Sequence, residues 1–227
     1  MIEGVDLYKY IRIMRVDHWI KQCFILPGCF LGLFFFSVDS MYADISIFHR
    51  FFIGMISASF IASSNYVINE WLDAEFDQYH PVKKHRSVVE SNLNSHIVYD
   101  LYFGLAILGI SLAFYVGLNF FFIAIWLWIM GIIYNIRPIR SKDIPVLDVL
   151  SESVNNAIRL LLGWFIVTND FLPPISIVLG YWFGGAFLMS IKRFAEYCMI
   201  DNPALAKKYR KSFGWYNRES LLNMSFF

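Results

Sequence analysis

Six long apolar segments run along the chain and alternate with shorter polar stretches. They cover residues 20–38, 48–66, 97–116, 118–134, 149–167 and 174–191. A membrane-spanning helix needs about 20 mainly apolar residues, so each segment is long enough to cross, or nearly cross, a bilayer. The pattern predicts an all-α integral membrane bundle of about six helices. The segment at 118–134 is short enough to be tilted or partly re-entrant, and 149–167 carries polar residues.

The polar stretches are strongly asymmetric in charge. Basic residues occupy the N-terminal segment, the loops after the second and fourth apolar segments, and the C-terminal tail. Among the 19 Lys and Arg residues, only Arg50 on the opposite side and Arg159 inside the fifth segment lie elsewhere. Because Lys and Arg concentrate in cytoplasmic loops, we expect a multi-pass cell-membrane protein whose N-terminus and functional site face the cytoplasm.

Composition narrows the class of protein further. The chain is 58% hydrophobic with a net charge of +1. This is more apolar than a typical soluble domain, and it offers no basic field for nucleic acid. Cys23, Cys29 and Cys198 have the spacing of neither a disulfide framework nor a zinc site. No small-residue cleavage site follows the first apolar segment, so we do not expect a cleaved signal peptide.

An acidic stretch continues the second apolar segment to its predicted cytoplasmic end. Glu70, Asp73 and Asp77 are spaced i, i+3, i+7 and share one helix face, and Asn69 lies one turn before Asp73. Such a row of oxygens suits Mg²⁺, which bridges carboxylates to substrate phosphates. The alternative is a solvated helix end of mixed charge. Ionisable groups at a membrane boundary are costly and usually functional, which favours the metal site.

Basic side chains follow this acidic row directly. Pro81 is expected to end the helix, and Lys83 and Arg86 come next. Both cations are suited to binding phosphate oxygens, Arg in a bidentate manner.

A polar stripe descends into the fifth apolar segment. Its members recur at about one-turn spacing and are Asp148, Glu152, Asn155, Asn156 and Arg159. A charged side chain facing lipid costs about 3 kcal/mol at mid-helix, so the stripe must face the bundle interior or a wet cavity. A structural ion pair of Glu152, with Arg159 or with another helix, is the alternative, and both interpretations can hold together.

Two further basic positions have less specific patterns. Lys192, Arg193 and Glu196 end the sixth apolar segment, where Lys192 and Glu196 are an i, i+4 pair and a simple positive-inside anchor is the alternative. Lys21 opens the first segment, and the sequence leaves open whether it reaches a cytoplasmic cavity. The basic run at 207–211 is typical of a solvated or headgroup-contacting face, and we assign it no chemistry.

The pattern Asn69-Glu70-x-x-Asp73-x-x-x-Asp77 resembles the first aspartate motif, N-D-x-x-D-x-x-x-D, of the UbiA superfamily of membrane prenyltransferases, with Glu70 in place of the usual Asp. The His-Pro-x-Lys-x-x-Arg continuation at 80–86 and the Tyr-and-basic loop at 134–148 extend the resemblance over essentially the whole chain. The details are most similar to the decaprenyl-phosphate phosphoribosyltransferase branch. There, as here, Lys-Arg-x-x-Glu stands where ordinary prenyltransferases carry a second Asp-rich motif.

The resemblance implies one UbiA-like transmembrane domain over 1–227, with about six of the family's roughly nine helices, and so incomplete at the C-terminus. It implies that Mg²⁺ is held by Asn69, Glu70, Asp73 and Asp77, the two aspartates being catalytic. It implies phosphate binding by Lys21, Lys83, Arg86, Arg140, Lys192 and Arg193. It implies an acceptor site or cavity lined by Tyr134, Asp148, Glu152, Asn156, Arg159 and Glu196.

The resemblance also implies the reaction. Phosphoribose would pass from phosphoribosyl diphosphate to a polyprenyl phosphate, and anions on both substrates explain the extra cations. The first alternative is prenyl transfer from a polyprenyl diphosphate to an aromatic or other small acceptor. Alternatives of another class are a transporter that uses the polar stripe as its path and a truncated, inactive remnant.

Overall fold

The computed structural model describes residues 7–36, 45–90 and 93–224, and every regular element in these ranges is helical. The α-helices are α1 Leu7–Ile13, α2 Leu26–Phe36, α3 Ile45–Asp77, α4 Ser87–Glu90, α5 Ser95–Val116, α6 Leu118–Asn135, α7 Leu147–Val167, α8 Ile175–Ile200, α9 Pro203–Tyr209 and α10 Arg218–Met224. The 3₁₀ helices are Val16–Ile25, Lys83–His85, Ser141–Asp143 and Lys211–Gly214.

All six apolar segments are helical where they are described, which confirms the predicted all-α fold. Five stretches are long and apolar enough to cross a membrane, namely Leu7–Phe35, Ile47–Asp77, Ser95–Val116, Leu118–Asn135 and Ile175–Ile200. The remaining helix, α7, carries the polar stripe and lies at the centre of the bundle, packed against α2, α3, α6 and α8. Its polar residues are therefore sheltered from lipid by neighbouring helices.

Three boundaries differ from the sequence prediction. The first segment begins as the 3₁₀ helix Val16–Ile25 before α2, because this stretch packs across α3 and α7. Helix α3 ends at Asp77, four residues before Pro81, so a turn and not the proline ends it. Helix α6 is continuous over 18 residues, with no re-entrant break.

Other expectations lie outside the described residues. They concern the end of the first apolar segment, at residues 37–38, and the parts of the predicted 1–227 domain that lie in 1–6, 39–44, 91–92 and 225–227.

Close backbone contact joins α2 to α7. A Cβ atom at Gly163 would lie against the carbonyl oxygen of Ile25 and the amide nitrogen of Cys29. Small residues let membrane helices approach this closely. Such close packing holds the helices together, because lipid offers no hydrophobic driving force for their association. The contact fixes the rotation of α7 and hence the direction of its polar stripe.

The C-terminal segment folds back over the end of the bundle where α3 and α6 finish and α7 begins, which we call the basic end. Tyr209 and Phe213 are buried there, with Tyr79 and Tyr216 packed against them. Asp148 at the start of α7 is fully buried and accepts hydrogen bonds from Tyr216 and Ser212, each at 3.0 Å. The tail thus closes over the basic end and does not extend into solvent.

Candidate functional site

A cavity of about 380 Å³, the main cavity, opens among the helices at the basic end. Its apolar wall includes Phe24, Leu127, Met130, Leu188 and Met189. Its charged and tyrosine side chains are Arg15, Lys21, Tyr66, Asp73, Lys83, Arg86, Tyr134, Glu152, Arg159, Lys192, Glu196, Tyr209 and Arg210. An outer cavity of about 740 Å³ adjoins it and shares Arg15, Lys83, Arg86 and Glu196.

Asp73 lies on the wall of the main cavity, one turn before the end of α3. Its Oδ1 accepts hydrogen bonds from Arg140 at 3.0 Å and Lys142 at 2.5 Å, both in the loop between α6 and α7. The Asn69 amide nitrogen donates to Asp73 Oδ2 at 3.1 Å and to Asn135 at 2.6 Å. Cations and an amide therefore hold this carboxylate in place.

The other two carboxylates of the predicted row are divided from Asp73. Asp77 is bound to Arg86 at 2.5 Å, and Glu70 lines the outer cavity and not the main one. Within the described ranges, no three His, Cys, Asp or Glu side chains are grouped as a ready-made metal cluster. Glu70 and Asp73 thus line different cavities, and Asp77 lines neither.

Lys83 and Arg86 lie where the two cavities meet, beside the acidic row as expected. The Lys83 ammonium donates to Glu196 at 2.7 Å and also contacts the Tyr209 hydroxyl. Burial lowers the pKa of Lys83, while Glu196 acts in the opposite direction. In place of the expected i, i+4 pair, Lys192 binds Glu152 on α7, and Glu196 binds Lys83 and, within α8, Arg193.

Three cations that sequence reasoning missed belong to this site: Lys142, Arg210 and Arg15. Lys142 is buried against Asp73, and that burial lowers the pKa of its ammonium to about 8. Lys142 lies inside the predicted Tyr-and-basic loop, and membership of that loop was the sequence feature that could have identified it as a site residue. Arg15 lines both cavities, and its sequence neighbours gave no sign of this.

Arg210 corrects the assignment of the 207–211 run as a plain solvated face. It lines the main cavity, where its guanidinium donates to the Tyr134 hydroxyl at 3.3 Å and the Lys142 carbonyl at 3.4 Å. Burial acts against its charge, but Tyr134, Tyr209 and Glu196 raise the pKa of Arg210 well above its ordinary value. Only the fold of the tail brings it here, so no local pattern marked it.

Arg193, expected to bind phosphate, lies elsewhere. Its side chain is 0% exposed and does not line either cavity. Its guanidinium contacts Glu152, donates to Glu196 at 3.0 Å and to the Tyr134 hydroxyl at 3.0 Å, and lies 3.5 Å from Asp148. Arg193 is therefore a structural centre that joins α6, α7 and α8 behind the cavity wall.

Most of the remaining predicted residues line the main cavity, and two are buried outside it. Lys21, Lys192, Tyr134, Glu152, Asn156, Arg159 and Glu196 line the main cavity. Asp148 is buried beneath the tail, and Arg140 is buried between Asp73, Asp143 and the ring of Phe76. The possible Glu152–Arg159 pair is not formed, because Glu152 is engaged by Arg193 and Lys192.

Comparison with known proteins places this arrangement in a family. The model of the UbiA prenyltransferase family matches residues 25–210. Decaprenyl-phosphate phosphoribosyltransferase of Mycolicibacterium smegmatis is 26% identical over 93% of this chain and 63% of that protein. The protein of the same name from Corynebacterium glutamicum is 24% identical over 91% of this chain and 59% of its own length. The chain thus spans about three fifths of these curated relatives.

Two other proteins are also similar to this chain. Protoheme IX farnesyltransferase of Serratia proteamaculans is 26% identical over 66% of this chain and 52% of that protein. A UbiA homolog from Archaeoglobus fulgidus, solved with DMAPP and Mg²⁺, has a TM-score of 0.75 at 21% identity and covers 96% of this chain and 73% of its own. The same homolog was solved with GPP and Mg²⁺, also with a TM-score of 0.75.

Proposed function

Since the chain belongs to the UbiA prenyltransferase family, we propose that it is an Mg²⁺-dependent intramembrane transferase that moves phosphoribose from phosphoribosyl diphosphate to a polyprenyl phosphate. The protein is a multi-pass membrane protein, and residues 1–227 would form one UbiA-like transmembrane domain. The proposal draws on the similarity to decaprenyl-phosphate phosphoribosyltransferases and on the charges around the main cavity.

The excess of cations over carboxylates in the main cavity is the observation that carries the proposal. Seven Lys and Arg residues line it, Arg15, Lys21, Lys83, Arg86, Arg159, Lys192 and Arg210, against Asp73, Glu152 and Glu196. Cations in a membrane interior are costly unless they meet negative charge. In phosphoribosyl transfer, both the donor and the lipid phosphate acceptor are anions. In prenyl transfer to a neutral acceptor, the diphosphate donor is the one anionic substrate.

The acidic row fits a metal ion that is shared with phosphates. Mg²⁺ usually binds through one or two carboxylates plus substrate oxygens, so Asp73, Asp77 and the oxygen of Asn69 suffice, with Glu70 in reach from the outer cavity. When bound, the ion would neutralise the departing diphosphate. Lys142 and Arg140 already neutralise Asp73, and a diphosphate beside that carboxylate would draw these cations to its own oxygens.

The other side chains would bind the donor and shelter the reacting carbon. Lys83, Arg86, Arg15 and Arg210 surround the junction of the two cavities and would contact the diphosphate. Departure of the diphosphate leaves C1 of the ribose electron-poor. The Glu152 carboxylate in the cavity wall would stabilise that positive charge by fixed, preorganised electrostatics.

Prenyl transfer is the second candidate, and the similarity to a farnesyltransferase favours it. Its donor would also use the acidic row, and its prenyl chain would lie along Phe24, Leu127 and Leu188. The two candidates therefore differ in the donor that is consumed, and one assay separates them.

The test is a transfer assay in membranes with Mg²⁺ and a polyprenyl phosphate. Labelled phosphoribosyl diphosphate is supplied in one arm and labelled prenyl diphosphate with aromatic acceptors in the other. We expect labelled phosphoribosyl lipid, and we expect Asp73→Asn to lower its formation about 100-fold. Asp100→Asn, an exposed aspartate on α5, is the matched control and should retain activity. Product from the prenyl donor alone would replace the first proposal with the second.

A further inference from the structure

The deep end of the main cavity contains a cation that pairs with no carboxylate among the residues the structure describes. Arg159 lies in the middle of α7, is only 9% exposed and lines the cavity. Its Nε donates to Gln22 at 3.2 Å and its Nη1 to the Asn155 carbonyl at 3.3 Å. Across the described part of the chain, no carboxylate forms an ion pair with it. The second terminal nitrogen, Nη2, makes no hydrogen bond within that part of the chain.

The cost of this arrangement indicates a ligand. A buried guanidinium without an anion lacks the Coulombic partner that offsets its desolvation. The nearest acid along the same helix, Glu152, is committed to Arg193 and Lys192. Ionisable groups inside membrane segments are rare and usually mark substrate sites. Arg159 is therefore held ready for an anion that enters the cavity.

Neighbouring groups complete a pocket for that anion. The Lys21 ammonium, on the 3₁₀ helix that packs against α7, lines the same cavity and has His18 Nδ1 at 3.2 Å as a neutral neighbour. Tyr66 and Asn156 line it as well, and each can donate a hydrogen bond. Two cations with hydroxyl and amide donors suit a phosphate monoester, which carries up to two negative charges.

The pocket is separate from the proposed donor site. On α3, Tyr66 precedes Asp73 by two helical turns, roughly 10 Å along the axis. On α7, Arg159 lies two turns deeper than Glu152. Phe24, Leu188 and Met189 continue the wall at this depth, so an isoprenoid tail can lie against them. A water-soluble donor reaches the acidic row from the outer cavity, and a lipid phosphate reaches Arg159 from the apolar side.

We infer that Arg159 and Lys21 form the subsite for the phosphate of the polyprenyl phosphate acceptor. This inference rests on the proposed function for the identity of the lipid. The 5-phosphate of the donor is the other phosphate monoester in that reaction, and the apolar wall beside Arg159 favours the lipid. Arg159 would hold the acceptor phosphate in place and would not take part in the departure of the diphosphate.

A binding experiment tests the subsite without any transfer. The purified chain in phosphatidylcholine nanodiscs, with EDTA and no donor, is titrated with tritiated farnesyl phosphate, with ribose 5-phosphate and farnesol as competitors. We expect Arg159→Gln to weaken farnesyl phosphate binding at least tenfold, and Lys21→Gln to weaken it several-fold. We expect neither competitor to displace it at equal concentration. Arg137→Gln and Lys84→Gln, at exposed positions outside both cavities, are the matched controls.

Each outcome is decisive. Unchanged affinity in Arg159→Gln, or Arg159-dependent binding of ribose 5-phosphate in place of the lipid, overturns the inference. If Arg159→Gln does not fold, exposed Lys21 provides the deciding variant. Arg159-dependent lipid binding without any phosphoribosyl transfer would leave the subsite standing and refute the proposed function. Transfer with an unchanged acceptor KM in Arg159→Gln would refute the subsite alone.

Discussion

Arg193 shows how one residue can organise the basic end of the bundle. Three acidic side chains from α7 and α8 converge on a guanidinium that is completely buried. A planar group with five donors can satisfy several carboxylates at once, which an ammonium cannot. The adjacent Lys192 is 45% exposed and binds Glu152 from the cavity side. Although adjacent in the sequence, Arg193 joins the helices in the interior and Lys192 lines the main cavity.

We predict that Arg193→Leu destabilises the protein strongly. Loss of the cation leaves Glu152 with Lys192 alone, Glu196 with Lys83 alone and Asp148 without a cation, and breaking a buried ion pair costs about 3–5 kcal/mol. Thermal unfolding in detergent, followed by size-exclusion chromatography, should show a much larger drop than for Lys192→Leu. An Arg193→Leu protein that melts like the unmodified chain but binds diphosphate poorly would mean that Arg193 contacts substrate.

Helix α7 is the element on which the cavity depends. It presents charged and amide side chains on one face, and it is surrounded by apolar helices that make this tolerable in a membrane. Its rotation is set by the close contact with α2 at Gly163 and, from the other side, at Gly28. A change in that contact would turn the polar stripe relative to the cavity.

Gly163→Ala is therefore expected to be destabilising. The new methyl group would overlap the backbone of Ile25 and Cys29, and overpacking of this kind costs about 1–3 kcal/mol. Gly180→Ala on α8 is the control, since nothing lies within 4 Å of the added atom and alanine favours helix. Equal melting temperatures for the two variants would show that α2 and α7 are not in backbone contact.

The C-terminal segment acts as a cover held by aromatic side chains. Phe213 is 2% exposed. The centroid of its ring lies 5.5 Å from the ring centroid of Tyr197 and 6.0 Å from that of Tyr209. Through this packing Arg210 is carried into the cavity wall.

Phe213→Ala is expected to release this cover, because truncation of a buried Phe costs about 3–5 kcal/mol. Limited trypsin digestion with mass spectrometry should show faster cleavage after Lys207, Lys208 and Lys211. Trp215→Ala, at a side chain that is 80% exposed, should digest like the unmodified protein. Similar cleavage rates for all three proteins would contradict the docked tail.

For the molecule as a whole, orientation in the membrane decides which compartment supplies a water-soluble donor. The acidic row, the cations around it and the tail all lie at the basic end, together with the loops rich in Lys and Arg. We propose that this end faces the cytoplasm, since positive residues are retained on that side during insertion. A water-soluble donor would then be available from the cytoplasm.

Cysteine labelling measures the orientation. In a background with Cys23→Ser, Cys29→Ala and Cys198→Ser, Lys84→Cys and Asp170→Cys each add one exposed thiol, on opposite ends of the bundle. A membrane-impermeant maleimide should label Asp170→Cys in intact cells and Lys84→Cys only after permeabilisation. The reverse pattern would place the acidic row outside the cytoplasm and refute the proposed orientation.

The sequence by itself determined the helical architecture and the location of the acidic row. Apolar runs of sufficient length can satisfy their backbone as helices in lipid, so the five apolar spans follow from hydropathy. Asn69 and Asp73 share a face because they lie one helical turn apart on α3, and Lys83 and Arg86 lie close by because they follow soon after the end of that helix. The polar stripe of α7 also followed, because charged residues in an apolar helix must face inward.

Only the tertiary structure decided which charges meet. Arg193 is buried outside the main cavity, whereas Arg210 of the C-terminal tail lines it. Glu152 pairs with Arg193 and not with Arg159. These pairings join residues far apart in the chain, and local periodicity does not encode distances between separate helices. Which carboxylate neutralises which cation depends on how α3, α6, α7, α8 and the folded tail pack at the basic end. Among the described residues, that packing pairs Arg159 with no carboxylate, which is the basis of the inferred phosphate subsite.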